Sequence, residues 1–146
     1  MNTLQKINVL ANQGIENLPF NSGMELVKSL LGEPDNIEST SDDEEEVFFL
    51  CAWNYIRFDM SIFFDAPVDG KIIGLECNGQ ETTFNGTKVF DLKEQEAFEF
   101  LLNAGEEEPE RVSEEWGEVR ISSALLGVDF YFEKGKMKGF YAEPAG

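Results

Sequence analysis

An amphipathic helix followed by a run of strands occurs twice along this chain. The first helix pattern covers residues 23–31, where apolar residues recur with helical spacing until Gly32 and Pro34 interrupt it. The second runs to about Ala104 and is followed by Gly105. Because each helix must bury its apolar stripe, we expect an α+β fold of tandem helix-plus-antiparallel-meander repeats, with two helices packed on one antiparallel sheet.

Both predicted helices are preceded by the sequence pattern of a capping box. Ser22 is followed three residues later by Glu25, and Asp91 by Glu94. In such a box the first side chain and the glutamate side chain each accept a hydrogen bond from the other residue's backbone N–H. The pattern predicts where each helix begins.

Strand-like segments rich in β-branched and aromatic residues follow each helix, separated by turn residues such as Gly70. The polar, acidic segment 35–46 is predicted to be a solvated loop. The predicted strands cover residues 47–55, 58–65, 71–77, 87–90, 116–122, 128–133 and 136–142.

The two halves also match at single residues, which we interpret as an internal duplication. Chance is the alternative, since strand-turn-strand segments resemble one another. A length of 146 residues suits a single domain, 1–146, with repeats at 20–78 and 87–143. The matched residues are Trp53, Arg57, Phe64, Gly70, Lys71 and Gly74 in the first half, and Trp116, Arg120, Phe132, Gly135, Lys136 and Gly139 in the second.

Charge points to the kind of partner. The chain has 29 acidic and 11 basic residues, a formal net charge of −18. A field of this sign disfavours nucleic acid and attracts another protein with a basic surface, less strongly as salt rises. Solubility or adaptation to a salty habitat is the alternative explanation of the charge.

Two acidic loops and one tyrosine are the candidate partner-binding residues. In the strand 128–133, alternation places Asp129 and Tyr131 on the face opposite Phe130, so Tyr131 is the aromatic residue that we expect to be exposed. Interfaces favour aromatic anchors with a charged rim. The candidates are Asp42, Asp43, Glu44, Glu45, Glu46, Glu106, Glu107, Glu108 and Tyr131.

Several kinds of chemistry have no support in the sequence. The chain has no histidine, which excludes catalysis by imidazole, and it has no phosphate-binding loop or nucleophile elbow. Cys51 and Cys77 lack the spacing of a zinc site and are expected to be buried free thiols. The sequence therefore predicts no enzyme, no cofactor and no metal, with a carboxylate-based hydrolase as an alternative.

The N-terminal residues lack the basic and apolar regions of a signal peptide, and no window is apolar enough to span a bilayer. These features predict a cytoplasmic location without membrane contact.

Residues 22–34, with the pattern GM…V…LLG.P followed by an aromatic strand, resemble the β-lactamase-inhibitor-protein-like fold, which small outer-membrane assembly lipoproteins share. Unlike those lipoproteins, this sequence shows no lipidated cysteine. The second half, from Asn85 to Glu133, is similar to small bacterial proteins of uncharacterised or toxin-immunity type. The resemblance implies a rigid sheet that holds another protein.

Together, charge, size and the two-part sheet predict a non-enzymatic binding protein. Its most concrete form is an immunity-type inhibitor that covers the positive surface of a basic bacterial toxin. The alternative is a scaffold or assembly protein, which would form a defined oligomer. The sequence leaves the oligomeric state open.

Overall fold

The computed structural model describes residues 6–39 and 51–145. Within these ranges the chain is α+β, with strands as the larger part. The elements in chain order are β1 (Asn8–Leu10), β2 (Gly14–Ile15), β3 (Leu18–Pro19), α1 (Met24–Leu31), β4 (Asn36–Ser39), β5 (Cys51–Tyr55), β6 (Met60–Phe64), β7 (Ile72–Cys77), β8 (Thr83–Phe84), a short 3-10 helix (Val89–Asp91), α2 (Glu94–Asn103), β9 (Glu110–Ser113), β10 (Glu118–Ser123), β11 (Val128–Glu133) and β12 (Lys136–Ala142).

Eight of the strands form one antiparallel sheet in the order β4-β5-β6-β7-β12-β11-β10-β9. β7 and β12 pair at its centre, with Phe140 opposite Cys77 and Ala142 opposite Leu75. A smaller sheet has the order β3-β2-β1-β8, in which β1 and β8 are parallel. Strands β4 and β9 are the two edges of the large sheet in the described part of the chain.

Both helices and the small sheet lie on one face of the large sheet, where the apolar core is found. Val27 of α1 and Leu101 of α2 are fully buried in the same cluster. The Phe84 ring of β8 lies 5.8 Å from the Phe130 ring and 5.7 Å from the Phe140 ring, in edge-to-face contact. The large sheet is therefore covered on this face by elements from all parts of the chain.

Each half of the large sheet contains a register shift next to a glycine. In β6–β7, Phe63 is opposite Gly74 and Phe64 is opposite Ile72, which leaves Ile73 as the extra residue. In β11–β12, Tyr131 is opposite Gly139 and Phe132 is opposite Met137, which leaves Lys138 as the extra residue. Such bulges turn a side chain away from its regular direction.

The strands predicted at 128–133 and 136–142 are confirmed at their full length as β11 and β12. The predicted strand at 87–90 is wrong, because Val89–Asp91 is a 3-10 helix. The predicted loop 35–46 contains β4 in its described part, and β9 was also missed. Both missed strands have exposed polar residues on the edges of the sheet, so they lack the apolar alternation of a covered strand.

The predicted capping boxes are wrong, although both helices lie where the sequence placed them. α1 begins after Gly23, and the Ser22 hydroxyl donates to the Pro19 carbonyl instead of capping the helix. Asp91 lies in the 3-10 helix, and it is the Lys93 N–H that donates to Glu96 Oε1, at 2.9 Å. Ser22 belongs to the turn before α1 and Asp91 to the 3-10 helix before α2, so neither residue is the N-cap of its helix.

Trp53 and Trp116, which the sequence comparison matched, do not lie at equivalent places in the structure. Trp53 lies in β5 and is 4% exposed, whereas Trp116 lies in the turn before β10 and is 72% exposed. Cys51 and Cys77 are buried free thiols, as expected. No helix in the described ranges combines the length and the hydropathy needed to cross a bilayer.

Candidate functional site

Residues on the face of the large sheet opposite the helices form what we call the open face, which we define on β7, β12, β11 and β10. Strand alternation puts Phe130 in the core and leaves Asp129 and Tyr131 partly exposed on this face. The pairing registers align side chains from neighbouring strands in a row: Glu76 opposite Tyr141, Tyr141 opposite Asp129, and Asp129 opposite Ser122.

A cleft of about 470 Å³ lies around two tyrosines of the open face. Tyr131 and Tyr141 come from neighbouring strands, and Gly139, which is opposite Tyr131, also lines the cleft; a Cβ atom on Gly139 would overlap Asn78 Oδ1. The cleft is also lined by Glu76, Glu118, Asp129 and Lys138. We call it the tyrosine cleft.

Glycine at position 74 makes room for one of these tyrosines. A Cβ atom on Gly74 would overlap the Tyr141 hydroxyl and would lie 2.8 Å from Cζ of the same ring. The Tyr141 ring also contacts Phe63, with 5.9 Å between the ring centroids. The side chain is therefore held by its neighbours in the sheet, which favours a preformed surface.

Both phenols of the tyrosine cleft stay protonated at neutral pH. Partial burial, followed by the negative charge of Asp129, raises the pKa of Tyr131. Partial burial, followed by the negative charge of Glu143, raises the pKa of Tyr141 to about 12. The hydroxyls remain hydrogen-bond donors, and the surrounding carboxylates give the cleft its negative charge.

A second cleft of about 510 Å³ continues the open face beyond Asp129. Its lining includes Glu108, Arg120, Ser122 and Glu143. Arg120 Nη2 donates to Glu110 Oε1 at 3.1 Å. Arg120 Nε and Ser122 Oγ are buried and have no hydrogen-bond partner in the described part of the chain. Such atoms gain most from a bound polar group, since burial has already removed their water.

The structure separates the residues that the sequence grouped as one site. Tyr131 lies at the tyrosine cleft and Glu108 lines the second cleft, while Glu107 is exposed and lines neither. Asp42, Asp43, Glu44, Glu45 and Glu46 lie outside the described residues.

Glu106 forms hydrogen bonds within the protein. Its Oε1 accepts from the Ser123 hydroxyl at 2.9 Å and from the Leu125 N–H at 3.1 Å. Its Oε2 accepts from the Glu108 N–H at 3.2 Å. These bonds, of which the Leu125 bond contributes most, lower the pKa of the Glu106 carboxyl. The carboxylate therefore links the loop after α2 to the β10–β11 turn.

Sequence reasoning missed five residues of the tyrosine cleft: Glu76, Glu118, Asp129, Lys138 and Tyr141. Alternation along β11 already placed Asp129 on the same face as Tyr131. The same alternation along β12 places Tyr141 on the face of the sheet that is opposite to the one occupied by the core residue Phe140. Joining the two strands into one surface also required their register, which the β11–β12 bulge shifts by one residue.

Comparison with known proteins supports the fold alone. No family model matches the chain, and no curated protein matches it. Among solved structures, the chain is similar to YjgB, a DUF4309 family protein from Bacillus subtilis subsp. subtilis str. 168, with a TM-score of 0.51 and 10% sequence identity. The match covers 91% of this chain and 88% of that one, so the resemblance extends over the whole fold.

Proposed function

We propose that this protein is a non-enzymatic binding module that holds a basic protein partner on its open face. The observation that supports this most is the tyrosine cleft, in which two neutral phenols lie among Glu76, Glu118 and Asp129. Aromatic side chains bordered by a polar or charged rim are typical of protein interfaces.

The cleft suits lysine and arginine side chains of a partner. Their aliphatic stems would pack on the Tyr131 and Tyr141 rings, and a guanidinium could stack on a ring face. Their charged ends would reach Asp129 and Glu76, which lie on either side of Tyr141 in the strand order. The net charge of −18 would increase the rate of encounter with such a partner at low salt.

The most concrete form of this proposal is a cytoplasmic, immunity-type inhibitor that covers the positive substrate-binding surface of a basic toxin. The resemblance of residues 22–34 to the β-lactamase-inhibitor-protein-like fold supports it, because a sheet that holds another protein is what that resemblance implies.

We also propose that the two halves are repeats of one helix-plus-meander unit. The sheet order supports this, because each half contributes four successive strands and the last strands of the halves, β7 and β12, meet at the centre. The bulges support it further. In each half a glycine comes directly after the extra residue, Gly74 in β7 and Gly139 in β12. On the strand paired with it, a phenylalanine is the first residue after the register shift, Phe64 in β6 and Phe132 in β11.

The experiment starts by capturing the partner on tagged protein from native cell lysate at low salt and measuring its affinity for purified variants. We expect Asp129→Lys with Glu76→Lys to weaken binding by about tenfold or more, since both carboxylates flank the proposed contact. Glu107→Lys with Glu114→Lys is the matched control, because it changes the net charge equally and lies outside the tyrosine cleft.

Equal weakening by both double variants would show that only net charge matters and would reject the open face as the binding surface. Unchanged binding in both, with the protein eluting as a self-oligomer, would favour the scaffold alternative.

A further inference from the structure

A basic surface adjoins the open face of this acidic protein. Lys93, Lys136 and Lys138 line a cleft of about 470 Å³ between the start of α2 and the β11–β12 hairpin, and we call it the lysine cleft. Lys134 lies in the turn of the same hairpin. Three of the 11 basic residues of the chain therefore line this cleft, and a fourth lies in the turn of the hairpin that borders it.

These lysines have no ion-pair partner in the described ranges. The ion pairs found there use Lys28, Arg111 and Arg120 as cations. Asp91 lines the lysine cleft and Glu133 is opposite Lys136 across the hairpin, yet neither lies within ion-pair distance of a lysine. A group of unpaired ammonium groups attracts an anionic group from outside the protein.

Lys138 joins the two surfaces. It is the extra residue of the β11–β12 bulge, and it lines both the lysine cleft and the tyrosine cleft. The extra residue of the corresponding bulge in β6–β7 is Ile73, which is half-buried and apolar. The bulge in the second half thus places a positive charge at the boundary between an acidic cleft and a basic one.

We propose, on the basis of the proposed function, that the bound segment of the partner is bipolar: basic residues occupy the tyrosine cleft and an adjoining acidic group occupies the lysine cleft. A wholly basic segment would be repelled by Lys136 and Lys138, and a wholly anionic ligand such as nucleic acid would be repelled by Asp129 and Glu118. A segment with a basic and an acidic part can form favourable charge interactions in both clefts, and it can do so in only one chain orientation.

Two fluorescent peptides test this by anisotropy at low salt. They share one lysine- and arginine-rich half and differ in the other half, which is glutamate-rich in one and glutamine-rich in the other. We expect the wild-type protein to bind the glutamate peptide about tenfold more tightly than the glutamine peptide, despite its own negative charge.

Lys136→Gln with Lys138→Gln should abolish this preference without weakening the binding of the glutamine peptide, since both substitutions remove charges that repel its basic half. Lys6→Gln with Lys71→Gln is the matched control: it removes the same charge from exposed positions outside the lysine cleft and should keep the preference. Circular dichroism would check that all variants are folded.

The outcomes separate the two proposals. If the wild type binds neither peptide, the proposed function fails and the bipolar segment fails with it. If it binds both peptides equally, or prefers the glutamine peptide, the bipolar segment is overturned while the basic partner stands. A preference that survives Lys136→Gln with Lys138→Gln would overturn the assignment to the lysine cleft.

Discussion

Glu106 shows how a carboxylate near the surface can support a fold when hydrogen-bond donors converge on it. Its oxygens accept from the backbone N–H groups of Leu125 and Glu108 and from the Ser123 hydroxyl, which holds two turns together. The sequence could not distinguish it from Glu107, because two of the three donors to Glu106 come from a turn 17 and 19 residues later in the chain. Charge patterning identified the acidic run, but not the division of roles within it.

At this scale we predict that Glu106→Gln lowers the melting temperature by a few degrees at neutral pH. The folded-state pKa of Glu106 lies below its ordinary value of 4.5, so its contribution to stability is present above about pH 4.5 and is lost as the pH falls through the folded-state pKa. The difference between wild type and variant should therefore shrink as the pH falls further below 4.5. Thermal melts across this pH range measure it.

The control for this prediction is Glu107→Gln, which removes the same charge from the neighbouring exposed side chain. We expect its melting temperature to equal or exceed that of the wild type, since it reduces repulsion in an acidic chain. A difference for Glu106→Gln that persists unchanged at low pH would contradict the role of the ionised carboxylate.

Elements were predictable where burial imposes a pattern and unpredictable where it does not. β11 and β12 alternate between core and open face, so their full length could be predicted from the alternation of apolar and polar residues. β4 and β9 are exposed edges without that alternation. The small sheet at the N-terminus has strands of two or three residues, joined by turns in which Asn12 and Asn17 have φ of 64° and 71°. Strands this short cannot show an alternation of apolar and polar residues, although the asparagines are a turn signal.

The junction of β7 and β12 provides the prediction at the scale of elements. Gly74 lies outside the left-handed region, so alanine there would cost stability through overlap with Tyr141 and not through backbone strain. We expect Gly74→Ala to lower the free energy of unfolding by about 1–3 kcal/mol, as overpacking does. Urea denaturation measures the change.

A double-mutant cycle with Tyr141→Ala isolates the cause. Once the ring is removed, Gly74→Ala should cost less than half as much, which corresponds to a coupling of about 1 kcal/mol or more. Independent, additive costs would mean that Gly74 does not position Tyr141, and the tyrosine cleft would lose one of its structural supports.

At the scale of the whole molecule, net charge opposes folding, whereas under the proposed function it favours binding of a basic partner. The three ion pairs in the described ranges each include a side chain at least half exposed, so each contributes only about 0–1 kcal/mol. Repulsion among the remaining acidic residues acts over the whole surface. Added salt should therefore screen more repulsion than attraction within the folded chain.

We predict that the melting temperature rises as sodium chloride increases from about 0.01 M to 1 M, since the Debye length falls from about 30 Å to about 3 Å. The affinity for the proposed basic partner should fall over the same range of salt concentration, because salt also screens the attraction between the acidic open face and that partner. Choline chloride should act like sodium chloride if screening is the cause, and a rise with sodium alone would indicate a bound cation instead. A melting temperature that falls with both salts would mean that local pairing, and not net repulsion, dominates the electrostatics of folding.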